Sequence, residues 1–209
     1  MTAEHGPVFT IGHSTHPIER FVDLLQRHGV EVLADVRSTP FSRFNPQFNR
    51  SSLAHSLASA GIRYEFLGEE LGARSSDPAC FENGRVSYAR LAATALFRRG
   101  LERLREMAGS QRVAMMCAER EPLDCHRTIL ITRELERAGE TVSHILADGV
   151  LEGNQRTMGR LIDKLKLPRD DLFGDPAELI DAAYDAQAAK VAYAPKTQPG
   201  TGDRKSRAR

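Results

Sequence analysis

The residues best suited to chemistry lie together in Met116-Cys117-Ala118-Glu119-Arg120-Glu121-Pro122-Leu123-Asp124-Cys125-His126-Arg127. Two thiols, an imidazole, two guanidiniums and three carboxylates share this short stretch. A thiol attacks electrophiles once ionised, an imidazole carries protons near neutral pH, and a guanidinium holds anions. Cys117 or Cys125 is therefore a candidate nucleophile, with His126 or the distant His13 as acid/base and Glu119 as the group that orients a histidine or acts as second base. If Cys125-His126-Arg127 forms the first turn of a helix, its free amides and dipole attract anions and lower a thiol pKa. The same donors read differently as metal ligands. Cys117, Cys125, His126 and His13 offer the nitrogen and sulfur set of a single zinc or ferrous ion. Cys117 also fits an ordinary buried cysteine at the end of a core strand.

A second polar stretch runs from Asp35 to Asn49 and places Arg37 and Arg43 among Phe41, Phe44 and Phe48 on a loop stiffened by Pro40 and Pro46. Arginine forks bind phosphate or carboxylate, and interleaved aromatics stack on bases. Arg37, Arg43 and Arg127 form the expected anion clamp, with Ser14, Asp35 and Ser38 as further substrate-binding residues. As surface residues, Arg37 and Arg43 are expected to matter for binding and little for folding. In the contrasting reading the phenylalanines pack the loop onto the core, and the arginines are solvated or pair with Asp35 and Glu69.

Positioning these groups requires strands that end beside one another. Apolar, β-rich runs occur at Val8 to Ile11, Val30 to Ala34, Ile62 to Leu67, Val113 to Met116 and Val142 to Leu146. Helical spacing separates them: from Pro17 to Gly29, around Leu53 and Leu57, from Tyr88 to Met107 with a break near Gly100, and from an Asp124 N-cap to Gly139. Residues 155 to 165 read as the last helix, and Gly68 to Gly84 as a long loop able to act as a lid. Alternating strands and helices predict an α/β domain of three layers, with a mostly parallel sheet of about five strands flanked by helices. His13 and Ser14, Asp35 and Arg37, and Cys117 and Glu119 then fall at the carboxyl ends of parallel strands, where ligands of such sheets bind.

The chain has 209 residues, 41% hydrophobic and 27% charged, with a formal charge of +1. That composition is globular, and so even a balance gives no field that would draw the whole protein onto nucleic acid or membrane. Residues 1–186 read as one domain and 187–209 as a disordered basic tail ending Arg-Lys-Ser-Arg-Ala-Arg. Three cysteines and no recognisable signal peptide suggest reduced thiols and a cytoplasmic location, and no apolar run is long enough to span a membrane.

The segment 116–127 shares a strand-end cysteine and a following arginine with the cysteine-phosphatase cradle. Ten positions separate Cys117 from Arg127, however, and the loop lacks the glycines that let amides converge on phosphate. A closer match exists. Thr10-Ile11-Gly12-His13-Ser14, Asp35-Val36-Arg37-Ser38-Thr39-Pro40 with Ser42-Arg43, Leu71-Gly72, and Met116-Cys117-Ala118-Glu119 with Cys125-His126-Arg127 together resemble the prokaryotic family called domain of unknown function 488. The resemblance runs from about residue 8 to 165 and implies an α/β fold, but no activity. The residues themselves predict an enzyme acting on an anionic, phosphate-containing partner such as a nucleotide or nucleic-acid end. The alternative is a non-catalytic module that binds or senses the same partner.

Overall fold

The computed structural model describes residues 6–168 and 175–195. Strands β1 (Val8–Gly12), β2 (Val32–Asp35), β3 (Arg63–Phe66), β6 (Val113–Cys117) and β7 (Val142–Ile145) run parallel, and β8 (Leu151–Gly153) adds an antiparallel edge. Their order is β3-β2-β6-β1-β7-β8. The fold is α/β, with one more strand than expected because β8 is too short to show a period in sequence. β1, β2 and β6 are buried along their whole length, which is why they read as continuous apolar runs rather than alternating ones.

Alternate residues of each strand feed two cores. Phe9, Ile11, Leu33, Ala114 and Met116 face helices α1 (Ile18–Arg27) and α2 (Arg50–Ser59). Val8, Val32, Ala34, Met115 and Cys117 face the other layer. That layer holds α3 (Gly68–Leu71), α4 (Tyr88–Ala92), α5 (Ala95–Ala108), α6 (Arg133–Arg137), α7 (Asn154–Leu165) and α8 (Pro176–Val191).

Several local expectations change. The 68–84 stretch holds α3, a 3-10 turn Pro78–Cys80, and a hairpin of β4 (Phe81–Glu82) with β5 (Arg85–Val86). Asn83 and Gly84 both have positive φ, 49° and 75°, as a two-residue hairpin turn requires. The long helix breaks at Ala93-Thr94, where the Thr94 hydroxyl caps the Phe97 amide at 3.2 Å. Gly100 is mid-helix instead, because a Cβ there would lie 2.4 Å from the Glu70 Cβ across the α3–α5 contact. Residues 154–165 are followed by a further helix, α8, whose start is marked by Pro176 and by the Asp175 carboxylate capping the Ala177 amide. Its inner face is Ala183, Tyr184 and Gln187, too small and polar to give an apolar period. Gln187 to Val191, expected in the tail, are therefore helical, and the Gln187 amide donates to the Leu123 carbonyl at 2.8 Å. Ala192 and Tyr193 continue against β5, where the Val86 amide donates to the Tyr193 carbonyl at 2.9 Å. The basic run at 196–209 lies outside the described residues. No helix among the described residues is long and apolar enough to cross a membrane.

Candidate active site

The site forms because β6 is inserted between β1 and β2, so the carboxyl ends of three strands meet. Beyond Gly12 the backbone stays paired to the loop after β6: the His13 amide donates to the Cys117 carbonyl at 2.9 Å and the Ser14 amide to that of Ala118 at 3.0 Å. Ser14 then turns in the left-handed region, φ 48°. Position 12 must be glycine, since a Cβ would meet the Glu119 carbonyl oxygen at 1.9 Å. A cavity of about 620 Å³ opens over these ends, lined on its floor by Cys117, Glu119, Cys125 and His126.

Cys125, not Asp124, caps the following helix. Its backbone is extended (φ −134°, ψ 142°), its carbonyl accepts the amides of Thr128 and Ile129, and its Sγ accepts the Arg127 amide at 3.4 Å. Asp124 instead accepts from Lys164 and Gln187. The helix opens with a wide π-helical segment, Arg127–Thr132, in which the Thr132 hydroxyl donates to the Arg127 carbonyl five residues back. Such widened turns often occur at functional sites.

His126 Nε2 lies 3.0 Å from the Val36 carbonyl, which can only accept, so the proton sits on Nε2. Nδ1 then faces Cys117 Sγ at 3.6 Å and Cys125 Sγ at 3.8 Å. Cys125 Sγ and Glu119 Oε2 are 3.1 Å apart and share a proton. The two thiols are pushed in opposite directions. The bond to Cys125, together with burial, raises Cys117 well above an ordinary thiol. Burial also opposes ionisation of Cys125, but the bond from Cys117 and the nearby Arg127 and His126 outweigh it and hold Cys125 well below. Burial and Cys125 raise Glu119, whereas contact with Cys125 raises His126 against the effect of burial.

Of the three arginines expected to form the clamp, Arg37 alone lines the cavity, and most of its guanidinium is committed elsewhere. Arg37 is only 6% exposed, and its guanidinium donates to both oxygens of the fully buried Asp35 (2.9 and 2.6 Å) and to the Phe48 carbonyl (2.8 Å). Its fourth N–H goes to His13 Nε2 at 3.2 Å, which fixes the His13 proton on Nδ1, donated to the Ser14 carbonyl at 2.9 Å. Burial and Arg37 lower His13 to about 4, so it is neutral near pH 7 and a poor base. Asp35 also accepts from Tyr64 and does not line the cavity. Arg37 pairs with Asp35, as the contrasting reading has it, and at the same time lines the cavity. Arg127 is fully buried and donates to the Glu119 and Arg120 carbonyls, holding the loop after β6 in place. Arg43 is exposed, stands 6.0 Å over the Phe44 ring, and lies outside the cavity lining.

The cavity wall includes His13, Ser14, Arg37, Ser38, Ser42 and Phe41, and residues that sequence reasoning passed over, among them Arg74, Tyr88, Val191 and Tyr193. Arg74 follows Leu71-Gly72, and its amide donates to the Ser38 hydroxyl at 3.0 Å. Its guanidinium stands 5.1 Å over the Tyr193 ring and makes no ion pair among the described residues. Proximity to the Leu71-Gly72 motif was the one signal for Arg74; Tyr193 had none, lying in a stretch read as tail.

The family model described as Domain of unknown function DUF488 matches residues 17–133, more than half of the chain. The chain belongs to the DUF488 family. The DUF488 span contains the 35–43 segment, Leu71-Gly72, Cys117, Glu119 and Cys125-His126-Arg127, while Gly12-His13-Ser14 and α8 lie outside it. No curated protein and no solved structure matches this DUF488 chain.

Proposed function

We propose that this cavity is the active site of an enzyme acting on a phosphate-bearing substrate, a nucleotide or the end of a nucleic acid. One observation carries the reading: Phe41, 65% exposed, and Arg74 share the wall of a cavity whose floor is Cys117, Cys125, His126 and Glu119. An exposed phenylalanine over a polar cavity offers a stacking face to a base, worth roughly 1–3 kcal/mol. Arg74 offers the uncommitted cation for phosphate. Of the five N–H groups of the Arg37 guanidinium, the one left after its four bonds supplements Arg74. Ser38 and Ser42 add hydroxyls beside them. The reacting atom is then brought over the buried thiols and imidazole, with Glu119 placed to take and return a proton. A reducing cytoplasm suits the three thiols, all of them free.

The test is turnover of nucleoside phosphates and of 5′- and 3′-phosphorylated oligonucleotides, followed by phosphate release and product chromatography. At least one substrate is expected to turn over, with a loss of about a hundredfold or more in Glu119→Gln. Binding without turnover would make the protein a binding module, and neither would refute the reading.

A further inference from the structure

We propose that Cys117 Sγ, Cys125 Sγ and His126 Nδ1 bind one divalent metal ion of the zinc class, with its fourth position open to the cavity beside Glu119. The inference deepens the proposed function and rests on the same site.

The geometry matches first. The three donor atoms lie within 4.8 Å of one another. Zinc bonds of about 2.3 Å to sulfur and 2.0–2.1 Å to nitrogen, at tetrahedral angles, require S···N edges of about 3.6 Å. The observed edges are 3.6 Å to Cys117 and 3.8 Å to Cys125. Both edges from the imidazole nitrogen thus already have the length that a bound ion would set.

The supports match too. A metal-binding imidazole needs a bare nitrogen facing the ion and a proton on the other, held by an acceptor. The Val36 carbonyl does this at Nε2 and leaves Nδ1 turned to both sulfurs. Metal thiolates are stabilised by amide donors, and Cys125 Sγ receives the Arg127 amide at a helix start. The ligands sit on rigid elements: Cys117 ends a central strand, and Cys125 and His126 open a helix.

Charge gives the third argument. Two thiolates and a divalent ion sum to zero, and the Glu119 carboxylate is balanced by the buried Arg127 whose guanidinium holds its carbonyl. The filled site is neutral, as burial demands. Two sulfurs and one nitrogen suit zinc or ferrous iron and not calcium or magnesium, which want oxygen. Three protein ligands facing a cavity is the arrangement of a catalytic ion rather than a closed structural one. Glu119 Oε2, 3.1 Å from Cys125 Sγ, borders the open position.

The experiment uses the full chain, expressed with zinc and purified without chelator, and measures metal by plasma mass spectrometry. About one ion per chain is expected in the wild type and in Cys80→Ser, whose buried thiol lies outside the cluster. A content about tenfold lower is expected in His126→Ala and Cys117→Ser. Because a variant can fail to fold, chelated wild type is also titrated with Co²⁺, which should show tetrahedral ligand-field bands and thiolate-to-cobalt charge transfer. A wild type that takes up neither zinc nor Co²⁺ while three free thiols titrate would overturn the inference. Turnover by such metal-free protein would leave the proposed function standing, whereas a bound ion without turnover of any substrate would remove that function and keep the metal.

Discussion

Replacing Arg37 by alanine should unfold much of what it was expected to leave untouched. Asp35 is fully buried, and the substitution strips it of two charge-assisted bonds, leaving only Tyr64 Oη at 2.8 Å and the residue 37 amide at 3.1 Å. The Phe48 carbonyl and His13 Nε2 lose their partners in the same step. Removing one member of a buried ion pair typically costs about 3–5 kcal/mol, because the other charge stays behind. For a chain of this size that is a fall in midpoint of roughly 6–20 °C. Differential scanning calorimetry and urea unfolding measure it directly. Arg37→Met with Asp35→Leu should recover a good part of the loss, since the uncompensated charge is gone. A single variant losing less than about 1 kcal/mol would refute the argument and return Arg37 to the surface role.

Gly12→Ala should cost about 1–3 kcal/mol or more and loosen the loop after β6, because its Cβ meets the Glu119 carbonyl oxygen at 1.9 Å; thermal unfolding and metal content should fall together. Burial, aided by Arg127, lowers His144 to about 4, while its unfolded value is about 6.5, so the unfolded chain binds the proton first. The contribution of His144 should be constant above pH 6.5 and fall by about 3 kcal/mol as pH drops towards 4, with His13, lowered to about 4 as well, acting in the same sense; urea midpoints across this range that stay flat would contradict it. Phe41→Ala and Arg74→Ala should each weaken binding of adenosine monophosphate about tenfold and shift the melting midpoint by under a degree or two, because both side chains are exposed. Calorimetric titration and a melting curve of each variant check the pair.

The sheet was legible because the central strands β1, β2 and β6 are apolar nearly throughout, and five β-rich runs stood between helical periods. The polar ends of three of those strands pointed to the site for the same reason. What the sequence could not display was direction. Arg37 and Arg74 look alike as residue types, yet one is locked to Asp35 two positions away and the other faces the cavity from a loop with no period. Arg127 resembled an anion ligand at a helix start, but the loop crossing Gly12 supplies two carbonyls that consume it. α8 was invisible because the residues it buries, Ala183, Tyr184 and Gln187, set no apolar period. With it went Val191 and Tyr193, which close the cavity.

The central claim is that this one cavity receives the ligand. Backbone amide NMR of the full chain titrated with adenosine monophosphate tests it most directly. Shifts should concentrate at Ser14, Ser38 to Asn45, Ala73-Arg74, Ala118-Glu119 and Tyr193, all on the cavity lining or the Phe41 loop beside it. Shifts confined to the separate groove between α7 and α8, around Gln155, Ile162 and Leu179, or no shifts at all, would contradict it.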